Sequence, residues 1–246
     1  MRELANLLCG DQEGEGLADV ALNQLSRSID TFSARLISFL EEGREEDAAI
    51  YGAFCSRVVL ENGCAAILGR LDTFRMLYIS EFQAQPSYEI GKRAKSAFSW
   101  ASDVIGEEGP TMWNADQEAA KISRALFSKY VSHVFWIPAL ERAQDYIGST
   151  SASGADDVLA LDPQSFTATV RGRSSQLHSS LSKGVHWEFF STSLMFDLET
   201  TKILIRDTLV LVAQLGLISH FVPTAHASLT AEAALAKYSA IRGVVL

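Results

Sequence analysis

The sequence predicts an all-α protein, a multi-helix bundle of about seven helices, on three observations. Apolar residues recur mainly at spacings of three and four, strict apolar–polar alternation is rare, and the breaks between periodic stretches carry Gly, Pro or acidic clusters. At 246 residues and 48% hydrophobic content the chain has ample material for a sizeable core.

The periodicity places helices near 15–42, 45–84, 88–106, 114–146, 164–190, 195–221 and 228–242. "EEGREED" closes the first and "QAQPSYE" separates the second from the third. "GEEGPTMWN" sets Gly and Pro before a start at Asn114 or Asp116. Pro138, inside "SHVFWIPALERAQDYI", lacks a backbone donor and is expected to kink or end its helix near Phe135 or Trp136. From Gly148 to Pro163, "GSTSASGADDVLALDP" is small and polar at first and reads as a linker or loop. The expectation is one helical domain over 1–246, with 148–163 as the place where a subdivision would fall. No internal repeat and no sustained heptad run is visible.

Ile203 to Val222, "ILIRDTLVLVAQLGLISHFV", approaches a membrane span in length but carries Arg206, Asp207 and Gln214, so it reads as a core helix. The N-terminus "MRELANLLCGDQEGEG" turns acidic after a short apolar stretch and does not read as a signal peptide. Cys9, Cys55 and Cys64 have neither CxxC spacing nor a nearby His, which points to a reduced, cytoplasmic chain without zinc. There is no P-loop, no GxGxxG after a strand and no GxSxG, so the sequence calls for no cofactor and no metal. With 30 Asp+Glu against 21 Lys+Arg and a net charge of −9, a general nucleic-acid coat is excluded. Any RNA contact has to be local.

One segment runs against that balance. From Pro163 to Trp187 there is no acid, while Arg171, Arg173, Lys183, His178 and His186 all fall within it. In a helical projection from His178, Arg171 lies at about +20°, Ser182 at about +40°, Ser175 at about +60° and His186 at about +80°. Leu177, Leu181 and Val185 fall at about −100°, −60° and −20°, so the polar stripe runs along the edge of an apolar face. Arg173 projects about 140° from His178, which makes Arg171 the better same-face partner, though Gly172 weakens the helix and leaves both open. A histidine moves protons near neutrality and an arginine grips phosphate with two hydrogen bonds. Metal-independent RNA cleavage needs little more. A solvated polar edge of a packed helix accounts for the same residues.

Arg173-Ser-Ser-Gln-Leu-His178 resembles the C-terminal motif of the HEPN superfamily, an Arg and a His separated by four to six residues; Arg171 to His178 fits the six-residue form. "LSKGVH", Leu181 to His186, is similar to the motif end of some HEPN-like bacterial proteins, so His178 and His186 both remain candidates. "CSRVVLENGCAAILGRLD", Cys55 to Asp72, is similar to their preceding long helix, in which Arg57 and Glu61 share a face. That pair is either an ordinary intrahelical salt bridge or, with Glu61 buried, a partner for Arg171 or Arg173. The resemblance implies a HEPN-like core and a ribonuclease or RNA- or nucleotide-binding effector of a bacterial defence or toxin–antitoxin system. It implies His178 as general acid/base, Arg171 or Arg173 on the phosphate, His186 as alternative or second donor and Ser182 positioning it. It also implies a homodimer or a related protein partner. The alternative is a non-catalytic helical scaffolding or interaction subunit, for which the acidic surface and the apolar C-terminus "IRGVVL" suffice.

His133 among apolar neighbours reads as a core or boundary histidine, and His220 and His226 around Pro223 form no metal pattern and receive no role. Trp100, Trp113, Trp136 and Trp187 read as core fillers.

Overall fold

The computed structural model describes residues 2–11, 13–85, 125–150, 154–185 and 198–245. Every regular element among them is helical: α1 (Arg2–Cys9), α2 (Leu17–Ser38), α3 (Glu45–Leu71), α4 (Thr73–Ala84), α5 (Lys129–Val131), α6 (Ile137–Thr150), α7 (Asp156–Leu159), α8 (Phe166–Val185), α9 (Leu198–Ser219) and α10 (Ala231–Val245). The expected helix 88–106, and the start of the one placed at 114–146, lie outside the described residues.

The bundle is built around α9. From Thr208 to Ser219 all but Val210 are buried, so the run that approached a membrane span in length is a core helix of the bundle. No helix among the described residues is long and apolar enough to cross a membrane. Helix α3 lies along α9 and α2, and its second half, Val59 to Arg70, is buried nearly all round. Such close packing needs small residues: a Cβ on Gly52 would stand 2.6 Å from Thr201 Cγ2 of α9. Helix α8 packs on α3 and α9, and α10 on α9 and α1. The apolar core is contiguous from Leu4 to Val245.

The sequence's count of about seven fails at three places, each for a local reason. Helix α1 is only eight residues long and is followed by an acidic stretch, yet Leu4, Leu7 and Leu8 are fully buried, so tertiary packing holds what propensity alone would not. Gly10, at φ 81°, ends it with its N–H on Asn6 O at 2.8 Å. The span 45–84 is two helices because Asp72 leaves helical geometry (φ −138°, ψ 76°) and its carboxylate accepts the Arg75 N–H, restarting the chain as α4. Within the stretch read as a loop, Asp156–Leu159 forms α7, and Gln144 of α6 donates to the carbonyls of Val158, Leu159 and Leu161 at its end.

Pro138 acts where expected. A π-helical turn, Ser132–Trp136, joins α5 to α6, with the Ile137 N–H reaching back to Ser132 O. This turn lets the helix pass the missing donor while Trp136 stays fully buried, its Nε1–H on Leu126 O at 2.8 Å. It also leaves His133 exposed, not in the core or at its boundary as its apolar neighbours suggested.

Candidate functional site

Helix α8 buries Phe166, Val170, Ser174, Leu177 and Leu181, a stripe at spacings of three and four. His178 therefore stands on one shoulder of the stripe and Arg173 on the other, which is the 140° separation the projection requires. The shoulder with His178 meets α3. His178 Nε2–H donates to Glu61 Oε1 at 3.0 Å, and Arg57 Nε–H donates to the same oxygen at 2.8 Å. Arg57 and Glu61 are one helical turn apart, so α3 presents them together and α8 adds the imidazole across the interface. The cluster is open to water, with side chains 28% (Arg57), 39% (Glu61) and 35% (His178) exposed.

Glu61 is thus neither an isolated intrahelical pair nor a partner of Arg171 or Arg173. It bridges two cation-capable groups and holds His178 with Nε2 protonated, which makes Nδ1 the basic nitrogen. Ser182 donates its hydroxyl to His178 O at 2.7 Å, a bond to the preceding helical turn. Arg171 is exposed on the His178 side, two turns towards the N-terminus. Arg173 is half-buried on the far shoulder, where its charge acts on Tyr238 of α10. His186 lies outside the described residues.

The far shoulder holds a different cluster. Tyr238 OH donates to Asp157 Oδ2 at 2.5 Å, Gln214 Nε2 approaches the same oxygen at 3.4 Å, and Arg242 stands 3.6 Å away. Burial, then the Asp157 bond and charge, push the Tyr238 phenol far up; Arg242 and Arg173 pull the other way. Such a phenol serves as a structural donor and not as an acid.

A third polar cluster was missed by sequence reasoning altogether. Arg70, 1% exposed, donates Nε–H to His226 O (2.9 Å) and its terminal nitrogens to Ser219 Oγ (2.7 Å), His220 Nδ1 (3.0 Å) and Ser228 Oγ (3.1 Å). His220 donates Nε2–H to Leu7 O at 2.8 Å and accepts the Leu229 N–H at Nδ1. Burial first, then the Arg70 charge, hold His220 down at about 3, so it is neutral. Burial also pulls Arg70 down to about 10. His226 Nε2 reaches Asp19 Oδ1 at 2.7 Å, and Asp19 Oδ2 accepts the Gly16 N–H at the start of α2. The loop after α9 is thus tied to α1, α2 and α3. Its signal in the sequence was an arginine inside the apolar run "AAILGRL".

No group of three or more metal-ligating side chains occurs among the described residues. Cys9, Cys55 and Cys64 are free and buried, and burial pushes the Cys64 thiol up to about 12, which leaves it inert. No family model, no curated protein and no solved structure matches the chain.

Proposed function

We propose that the protein is a HEPN-like helical effector that cleaves or holds RNA by metal-independent acid–base chemistry, in a bacterial defence or toxin–antitoxin setting. The observation that supports this reading is the meeting of His178 Nε2 and Arg57 Nε on one Glu61 oxygen at a water-accessible seam between α3 and α8. Glu61 orients the imidazole, and His178 takes the proton of a ribose 2′-hydroxyl whose oxygen attacks the adjacent phosphorus. The leaving 5′-oxygen needs a proton from a second acid, for which His186 is the candidate. Arg57 and Arg171 are the cations on the His178 side of α8, and their guanidinium groups suit the phosphate. Arg173, on the opposite shoulder, has no part in this. A second copy of the chain, bringing its own α8, would complete the site.

The test is cleavage of a mixed RNA pool by purified protein in EDTA, comparing wild type with His178→Ala, Glu61→Gln, Arg57→Ala, Arg171→Ala and His186→Ala. Cleavage that survives chelation and falls by roughly 100-fold or more in His178→Ala establishes the site. Arg173→Ala should cleave as wild type. No cleavage by folded wild-type protein would favour the second reading, a non-catalytic interaction module. For that reading the relevant observation is the row of exposed aromatics on α4, Phe74, Tyr78 and Phe82, with successive ring centroids 6.5 Å apart.

A further inference from the structure

On the N-terminal side of Glu61, one face of α3 carries apolar residues that the core does not take up. Ile50, Tyr51 and Phe54 are each about half exposed, while Ala53, Cys55 and Ser56 beside them are buried. In helical projection Ile50, Phe54 and Glu61 fall within about 40° of one another, and Tyr51 lies about 60° beyond Phe54. Phe54 is one turn from Arg57 and two turns from Glu61, about 4.5 Å and about 10 Å along the helix axis. The stripe therefore leads into the cluster in which Arg57 and His178 meet on Glu61. Phe32 of α2, itself packed against the core, meets the Phe54 ring edge-on, with centroids 5.9 Å apart and planes at 74°. That contact anchors the ring while half of the side chain stays open to water.

Area and charge decide what such a stripe can take. Three half-exposed side chains offer roughly 300 Å² of surface, well short of the ~800 Å² per partner of a stable protein interface. They do match one flat ring system, because an aromatic side chain stacks on the π-face of any unpaired base. The charges fix where a phosphate belongs. The first turn of α3 carries Glu45, Glu46 and Asp47, of which Asp47 is paired with Arg44 at 2.8 Å. That end repels a nucleic-acid backbone, whereas Arg57 stands on the other side of Phe54. A nucleotide gripped by its phosphate at Arg57 thus reaches the rings with its base and keeps its backbone off the acidic turn.

We propose that Phe54 and Tyr51 form a base-stacking subsite, which holds an unpaired base of an RNA whose phosphate lies at Arg57 and His178. The proposal rests on the reading of the α3–α8 seam as an RNA site. It makes the two aromatic residues determinants of which bond is presented to His178, with no part in proton transfer.

Fluorescence anisotropy of a labelled hexamer with the full chain in EDTA tests this. The hexamer is 2′-O-methylated, so that no 2′-hydroxyl can attack, and is compared with an abasic hexamer carrying the same phosphates. Wild type should bind the intact hexamer at least about fivefold more tightly than the abasic one, and Phe54→Leu should weaken the intact hexamer roughly 5- to 100-fold, the worth of one stacked base. Tyr51→Leu should weaken it in the same direction, and neither variant should change affinity for the abasic hexamer. Phe54→Leu keeps an apolar side chain against Phe32, and Phe54→Tyr, which keeps the ring, should bind as wild type. Phe74→Leu, an exposed aromatic of α4, should also bind as wild type. Equal affinity of wild type for the two hexamers, unchanged affinity in Phe54→Leu, an equal loss in Phe74→Leu, or no binding of either hexamer would overturn the subsite. Cleavage of the RNA pool is read separately. Wild type that cleaves RNA but binds both hexamers equally loses the subsite and keeps the cleavage reading, whereas ring-dependent binding by a protein that cleaves nothing does the reverse.

Discussion

Two regions of this molecule combine an arginine from α3 with a histidine from a later part of the chain, and they differ in almost everything else. At the C-terminal end of α3, Arg70 is sealed in the core and meets hydroxyls, a carbonyl and the neutral ring of His220. At the middle of α3, Arg57 meets a carboxylate, and His178 joins it in water. Burial sets the difference. A guanidinium out of water must have its donors filled, and here neutral acceptors fill them while the neighbouring imidazole is kept neutral. A guanidinium and an imidazole at the surface keep donors and protons to exchange, at the cost of contributing little to stability. The first arrangement is a knot that fixes where α1, α3 and the loop after α9 meet; the second is chemically available.

Substitution should separate the two most strongly at Arg70. Arg70→Met leaves Ser219, His220, Ser228 and the His226 carbonyl without their donor, and should cost about 3–5 kcal/mol in urea denaturation. A loss below about 1 kcal/mol would dissolve the distinction between knot and seam.

The same knot should make the fold sensitive to acid. His220 has its folded pKa depressed to about 3, below an unfolded value near 6.5, so it is neutral in the fold and takes up a proton on unfolding. Its contribution is fully present above about pH 6.5 and is lost as pH falls from there towards 3, amounting to roughly 2–3 kcal/mol by pH 4.5. Urea midpoints measured between pH 7 and 4.5 should fall accordingly, and the fall should shrink in His220→Gln.

Gly10→Ala should cost more than about 1 kcal/mol, because a Cβ there would stand against Ala227 O at 2.0 Å and φ is 81°. A neutral result would mean that the α1 end and the 219–228 loop can separate freely.

The smallest stability effects belong to the seam. Arg57→Ala and Glu61→Gln should each change unfolding free energy by no more than about 1 kcal/mol, as expected of partly exposed ion pairs. Their effect should appear instead in RNA cleavage or binding. A Glu61→Gln variant as unstable as Arg70→Met would make the seam a second knot and remove the case for an active role.

The pattern of what could be read in advance follows from these contrasts. Helix class, the core assignment of Ile203–Val222 and the disturbance before Pro138 were legible because periodicity, charge placement and a missing backbone donor act within a few residues. The 140° divergence of Arg173 from His178 was likewise legible from helical geometry, and the two residues lie on opposite shoulders of the α8 stripe. Helix α1 and the break at Asp72 were not read, although Asp72 carries its own capping signal. The partner of Glu61 was beyond the sequence: Arg57 is four residues away and visible, whereas His178 is separated by 117 positions and arrives only because α8 packs on α3.

The sequence by itself determined that the chain is helical, that Ile203–Val222 is a core helix, and which polar stripe of α8 borders the core, since each depends on local spacing and on the removal of apolar surface from water. Only the tertiary structure decided which histidine and arginine become inert and which stay open. That depends on whether packing removes them from water, and burial of a given side chain is fixed by helices distant in sequence.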